Sequence, residues 1–194
     1  TAITNNEFSN DTGLTTIAVS DNTIDATTLA ARIDSYDTIN VGGTTGMTLA
    51  AGATINVDAD EVDHLLADET AGRLTISDQV ITVTNAITVD NANLLGATTT
   101  GVVTATIAGT ETVGELATLS ADGGTNALSI TIRSEDATAA TAGQLNTIKD
   151  ATASAVNLTN VTALAASSLD DLGTLATAIG NSEFSNATGL TTIA

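Results

Sequence analysis

The chain has 194 residues, with 23 Asp and Glu against four Lys and Arg, a net charge of −19, and no Pro, Cys or Trp. That charge argues against nucleic-acid binding, which needs a basic face to displace counterions from phosphates. Absent Cys excludes disulfide scaffolds, thiol catalysis, iron–sulfur clusters and thiolate-held structural zinc. No apolar run approaches the roughly 20 residues that span a bilayer. A hydrophobic share of 42% is nevertheless too large for a plainly disordered tail.

Residues 1–18 read TAITNNEFSNDTGLTTIA and residues 177–194 read TAIGNSEFSNATGLTTIA, identical at 15 of 18 positions at an offset of 176. Self-similarity on that scale points to a repeat architecture. The expected organisation is one repeat unit over 1–176, with 177–194 opening the next copy in a longer tandem array. Within the unit, apolar steps centred on Leu29, Val62, Leu94, Leu116, Leu145 and Leu172 follow Ala-, Thr- or Asp-rich stretches. They are 33, 32, 22, 29 and 27 residues apart, and the next copy's Leu29 would follow after 33 more. Six sub-repeats averaging about 29 residues fall in the range of stacked coils.

In chain order, the alternating stretches that predict strands are 15–20, 38–42, 53–57, 74–77, 80–84, 86–90, 102–108, 128–133 and 155–159. In each, Ile, Val or Leu alternates with Thr or another non-core residue, as in a strand with one buried face. The Leu-centred steps between them are read as one or two helical turns at corners, since a freestanding helix needs about 12–15 residues.

Thr and Ala supply 72 positions, and Phe8, Phe184 and Tyr36 are the only aromatics. Small side chains fill a narrow core when they stack coil above coil, with the backbone ladder organising the structure. The expected fold is therefore all-β: a right-handed parallel β-helix, or β-solenoid, of about six coils per 176 residues with short helical corners. Ile17, Val19, Ile39, Val41, Ile76, Ile130 and Ile132 should point inward. An immunoglobulin-like sandwich lacks its aromatic core feature. A leucine-rich repeat fits Leu14 to Ile24 and partly Leu74 to Ile81, but the remaining coils do not repeat it.

The runs NALSITIRSEDATAATAGQLNTIKDATASAVNLTNV (126–161) and SDNTIDATTLAARIDSYDTINV (20–41) resemble the Ala/Thr-rich tandem repeats of giant bacterial cell-surface and filament proteins. Cyanobacterial surface giants and large secreted adhesins are examples. The resemblance implies secretion without a cleaved N-terminal signal, an extracellular or cell-surface location, and a structural or adhesive role. It carries over no catalytic or ligand residue.

Side chains that bear chemistry are sparse. His64, the only histidine, lies in DADEVDHLLADE beside Asp58, Asp60 and Asp63. A zinc or catalytic site usually needs several His or Cys ligands, so this reads as an acidic corner. The pairs Asp21 and Asp25, Asp58 and Asp60, and Asp170 and Asp171 suit a hard cation such as calcium. The repeat-calcium pattern is absent, however, and carboxylates also keep a long fibre soluble. Gly42-Gly43 and Gly123-Gly124 read as corners rather than phosphate loops, because neither leads into Gly-Lys-Ser/Thr. Glycosylation tripeptides begin at Asn10, Asn157, Asn160 and Asn186, as this composition alone would produce. The Thr pairs 82/84 and 104/106 are too irregularly spaced for an ice-binding face.

The expected function is thus non-enzymatic: a structural repeat unit of an extracellular filament or giant cell-surface protein, assembled end to end by solenoid stacking. The expected partners are neighbouring copies of the repeat, with no nucleic acid and no membrane span. Catalytic, cofactor-binding and metal-binding residues are expected to be none, with calcium as the open cofactor question. The alternatives are the stalk of a secreted adhesin or biofilm-matrix protein, and a β-helix polysaccharide-active enzyme. The enzyme reading lacks aromatics to stack sugar rings.

Overall fold

A computed structural model describes residues 16–39, 46–120 and 125–193. The chain divides into two compact units, one of residues 1–84 and 98–102, the other of residues 85–97 and 103–194.

The first unit repeats a strand, a strand and a helix. Strands β1 (Thr16–Val19) and β2 (Thr23–Asp25) lead into helix α1 (Ala26–Ile39). Strands β3 (Gly46–Leu49) and β4 (Thr54–Asp58) lead through a 3-10 turn at Ala59–Glu61 into α2 (Val62–Thr70). Strands β5 (Leu74–Thr75) and β6 (Val80–Ile87) begin the next round. Like pairs with like, in parallel. Thr16 is in register with Gly46, Met47 with Leu74, Thr23 with Thr54, and Thr54 with Val80. Alternation decides the buried face: in β4, Ile55 and Val57 are buried while Thr54, Asn56 and Asp58 are half-exposed.

The second unit holds most of α3 (Val89–Thr98), then β7 (Val103–Ile107), α4 (Val113–Leu116), β8 (Ala127–Ser129), a 3-10 turn at Ser134–Asp136 and α5 (Ala142–Asp150). There follow β9 (Val156–Asn157), β10 (Ala163–Leu164), α6 (Leu169–Gly180), β11 (Phe184–Ser185) and β12 (Thr192–Ile193). Pairing is again parallel: Thr104 with Ala127, Val156 with Phe184, and Ala163 with Thr192, plus a single bridge from Thr131 to Asn157.

These observations correct the expected fold. The chain is mixed α/β, with six α-helices among the described residues, and not an all-β right-handed parallel β-helix; the parallel sheets do not close into a solenoid. The expectation failed at the corners. Each Leu-centred step lies in a helix, and α1, α3 and α6 run for 14, 10 and 12 residues. Isolated helices this short are marginal, but burial of one apolar stripe and satisfied ends stabilise them in place. The stripe is Leu29 and Ile33 in α1, Val89, Ala92 and Leu95 in α3, and Ala142, Leu145 and Ile148 in α5. In α3 the buried residue is Leu95, and the proposed anchor Leu94 is 53% exposed.

The caps are sequence-local. Thr112 with Glu115, and Thr141 with Gln144, form reciprocal capping boxes. Ser168 accepts the amide of Asp171, and Asp25 accepts that of Thr28. The Thr112 backbone and side-chain bonds hold the Glu115 carboxyl below the usual glutamate range.

Other expectations divide. The stretch 38–42 was expected as a strand, but α1 continues through Ile39, and Val41 lies outside the described residues. Segments 80–84 and 86–90 form one strand through Ile87 and then enter α3. Ile76, Ile130 and Ile132 are buried as expected, whereas Ile17 and Val19 are half-exposed. Phe184 is buried in β11; its counterpart Phe8 lies outside the described residues, as do Gly42, Gly43, Gly123 and Gly124.

Candidate functional surface

Where the strand ladders break, buried polar side chains take over the hydrogen bonds. In the first unit Gln79 is buried, and its Oε1 accepts from the Ser77 amide at 2.7 Å while its Nε2 donates to the Ala50 carbonyl at 3.0 Å. The Thr99 hydroxyl donates to the Gln79 carbonyl at 2.6 Å. Gly101 packs on the same turn so closely that a Cβ would come within 2.2 Å of the Gln79 carbonyl oxygen, which explains the glycine. In the second unit Asn126 accepts the Val103 amide and Thr152 accepts the Leu128 amide, both at 2.9 Å. Asn93 and Asn146, each the fifth residue of its helix, donate to carbonyls 25 residues further on, Thr118 and Asp171. These bonds link successive strand–helix segments.

The acidic pairs singled out in the sequence mostly cap turns. Asp25 Oδ1 accepts from both the amide and the hydroxyl of Thr28, at 2.9 Å. Asp58 accepts the Asp60 amide at 3.2 Å and the Thr84 hydroxyl at 3.0 Å. Asp171 accepts the Ser168 hydroxyl at 2.7 Å. His64 is exposed on α2 and edges a crevice with Glu61 and Asp68 that has no room for water. Among the described residues, no three His, Cys, Asp or Glu side chains gather where a metal could be held. Asn157 and Asn160, glycosylation candidates by sequence, bond to Thr159 and to the Ile132 carbonyl.

Two concavities stand out among the described residues. The first, about 550 Å³, is bounded by β1, β2 and α1, and Ile17, Val19, Ile24, Leu29, Arg32 and Tyr36 are among its lining residues. Asp21 and Asp25 lie on its wall. Arg32 and Tyr36 were not singled out in the sequence, although their spacing from Leu29 puts all three on one helical face. The second, about 500 Å³, is polar and contains Lys149, Asp150, Asn181 and Glu183. Lys149 Nζ bonds to the carboxylates of Asp150 and Glu183, and these raise its pKa above the ordinary lysine range. A lysine kept protonated in this way is not a nucleophile.

A third feature is an uncovered apolar face. Leu169, the first residue of α6, is 86% exposed, and Leu172 and Ile179 are only half-buried. No described helix is long and apolar enough to cross a membrane. Compared with known protein families, characterised proteins and solved structures, the chain matches none.

Proposed function

We propose that the chain is a structural repeat unit of an extracellular filament or giant cell-surface protein, joined end to end to neighbouring copies of itself. The observation that supports this reading is the near-identity of 1–18 and 177–194, in a chain whose strands pair in parallel at intervals of 23 to 31 residues. Such pairing has no natural last member: every strand added offers an edge to the next. Heterologous contact of this kind propagates instead of closing. Caps at Thr112, Thr141 and Ser168 and the inter-segment bonds of Gln79, Asn126 and Asn146 suit a load-carrying spacer. A charge of −19 keeps such an assembly from collapsing on itself.

Immunogold electron microscopy of unpermeabilised source cells, with antibody raised against the 194-residue chain, tests the proposal. Gold should follow surface fibres at a regular interval. Label seen only inside permeabilised cells would overturn it.

A further inference from the structure

We propose that strand β1 is the joint between neighbouring copies of the repeat: its outer edge takes Ala163–Leu164 of the preceding copy, and the cavity beside it takes that copy's α6. The inference rests on the repeat reading above and adds the surface, the partner and the register.

The chain carries the same dipeptide in both halves of the joint. Thr192–Ile193 is the counterpart of Thr16–Ile17 at the 176-residue offset. Both counterparts are strands. As β12, the dipeptide pairs in parallel with a strand that precedes it, Thr192 beside Ala163 and Ile193 beside Leu164. As β1, it pairs in parallel with a strand that follows it, Thr16 beside Gly46 and Ile17 beside Met47. A strand has two edges, so one strand can hold a preceding and a following partner together. In tandem, one strand makes both pairings, so the ladder runs through the boundary in register.

The helices agree. Residues 177–180 of α6 are the counterparts of residues 1–4, so the last third of the 12-residue α6 is written by the next copy. On one side α6 packs against α5. Its exposed Leu169 and half-buried Leu172 await a following helix, and α1 of the next copy comes 33 residues after Leu172 by the Leu29 spacing. That interval equals the one separating Leu29 from Val62, which lie on the packed pair α1 and α2. The matching surface is the cavity bounded by β1, β2 and α1, where Ile17, Val19, Ile24, Leu29 and Tyr36 offer apolar lining. Covering it should bury the half-exposed Ile17, Val19 and Tyr36 as the later segments bury theirs.

The test uses the full chain preceded by one further copy of residues 1–176. The protein has no cysteine of its own, so introduced pairs report cleanly. Paired positions on parallel strands lie about 4.8 Å apart, within disulfide reach. Ala163→Cys in the first copy should cross-link with Thr16→Cys in the second. In a separate variant, Thr16→Cys and Gly46→Cys of the second copy should also close. Closure of the second pair without the first would overturn the proposal. Hydrogen exchange guards against cysteine variants that fail to fold: amides of α6 in the first copy should exchange at least tenfold more slowly than in the 194-residue chain. Unchanged exchange would overturn the joint. Surface fibres without the cross-link would sink the joint alone; a cross-link with purely internal antibody label would sink the function alone.

Discussion

The C-terminal turns of α2 and α6 solve the same problem with opposite charges. After α2, Gly72 adopts φ of 71°, its amide bonds to the Glu69 carbonyl, and the Arg73 amide bonds to the Asp68 carbonyl. After α6, Ser182 adopts φ of 63°, its amide bonds to the Ile179 carbonyl, and the Glu183 amide bonds to the Ala178 carbonyl. Both are Schellman turns, which satisfy the last helical carbonyls. The residue that follows reaches back to the preceding helix in each. Arg73 pairs with Asp34 of α1 at 3.8 Å and with the buried Asp68 of its own helix. Glu183 pairs with Lys149 of α5 at 3.0 Å. Geometry is preserved while sign, burial and the left-handed residue vary. The turn is therefore a backbone device, and its charges are local additions.

The largest expected effect separates the two ion pairs by burial. Arg73→Gln leaves the buried Asp68 carboxylate without its cation and should lower stability by about 3 kcal/mol or more. Lys149→Gln, whose partners Asp150 and Glu183 are 62% and 38% exposed, should cost less than about 1 kcal/mol. Urea unfolding of both variants checks this, and equal losses would erase the distinction.

A smaller effect separates the left-handed residues. A Cβ at Gly72 meets nothing within 4 Å, so Gly72→Ala costs only backbone strain, about 1 kcal/mol. Ser182 already carries such strain, and Ser182→Gly should stabilise by about 0.5 kcal/mol or more. Melting curves should shift in opposite directions; a shared sign would mean that the Ser182 side chain contributes more than its backbone costs.

The smallest effect is in pH. Bonds to Asp150 and Glu183 raise the Lys149 pKa, so the pair's contribution is fully present below the unfolded lysine value of about 10.4. It fades as pH rises through the higher folded value. Wild type should lose up to about 0.5 kcal/mol relative to Lys149→Gln between about pH 9 and 12, followed by urea titration.

Parts of this architecture were legible before any coordinates. Alternation at 53–57 and 102–108 marked β4 and β7 because a half-buried strand has a period of two. The six Leu-centred steps marked where the chain turns from strand to helix. Thr112 with Glu115 and Thr141 with Gln144 carry the sequence signature of a helix start. The apolar concavity was not legible, since Ile17, Ile24 and Tyr36 come together only when β1, β2 and α1 pack. Neither was the service of Asp25, Asp58 and Asp171 as caps instead of ligands.

By itself the sequence determined the match of 1–18 to 177–194, the Leu-centred spacing, and the small-residue, Cys-free composition. Local pattern suffices for these because side-chain periodicity and repetition are properties of the chain. Only the tertiary structure decided that the corners are full helices, since a 9- or 12-residue helix is marginal alone and persists when Leu145 or Leu175 is buried against its neighbours. The same holds for pairing. Thr16–Ile17 and Thr192–Ile193 are one dipeptide with one β propensity, and which strand each pairs with depends on what the fold brings beside it.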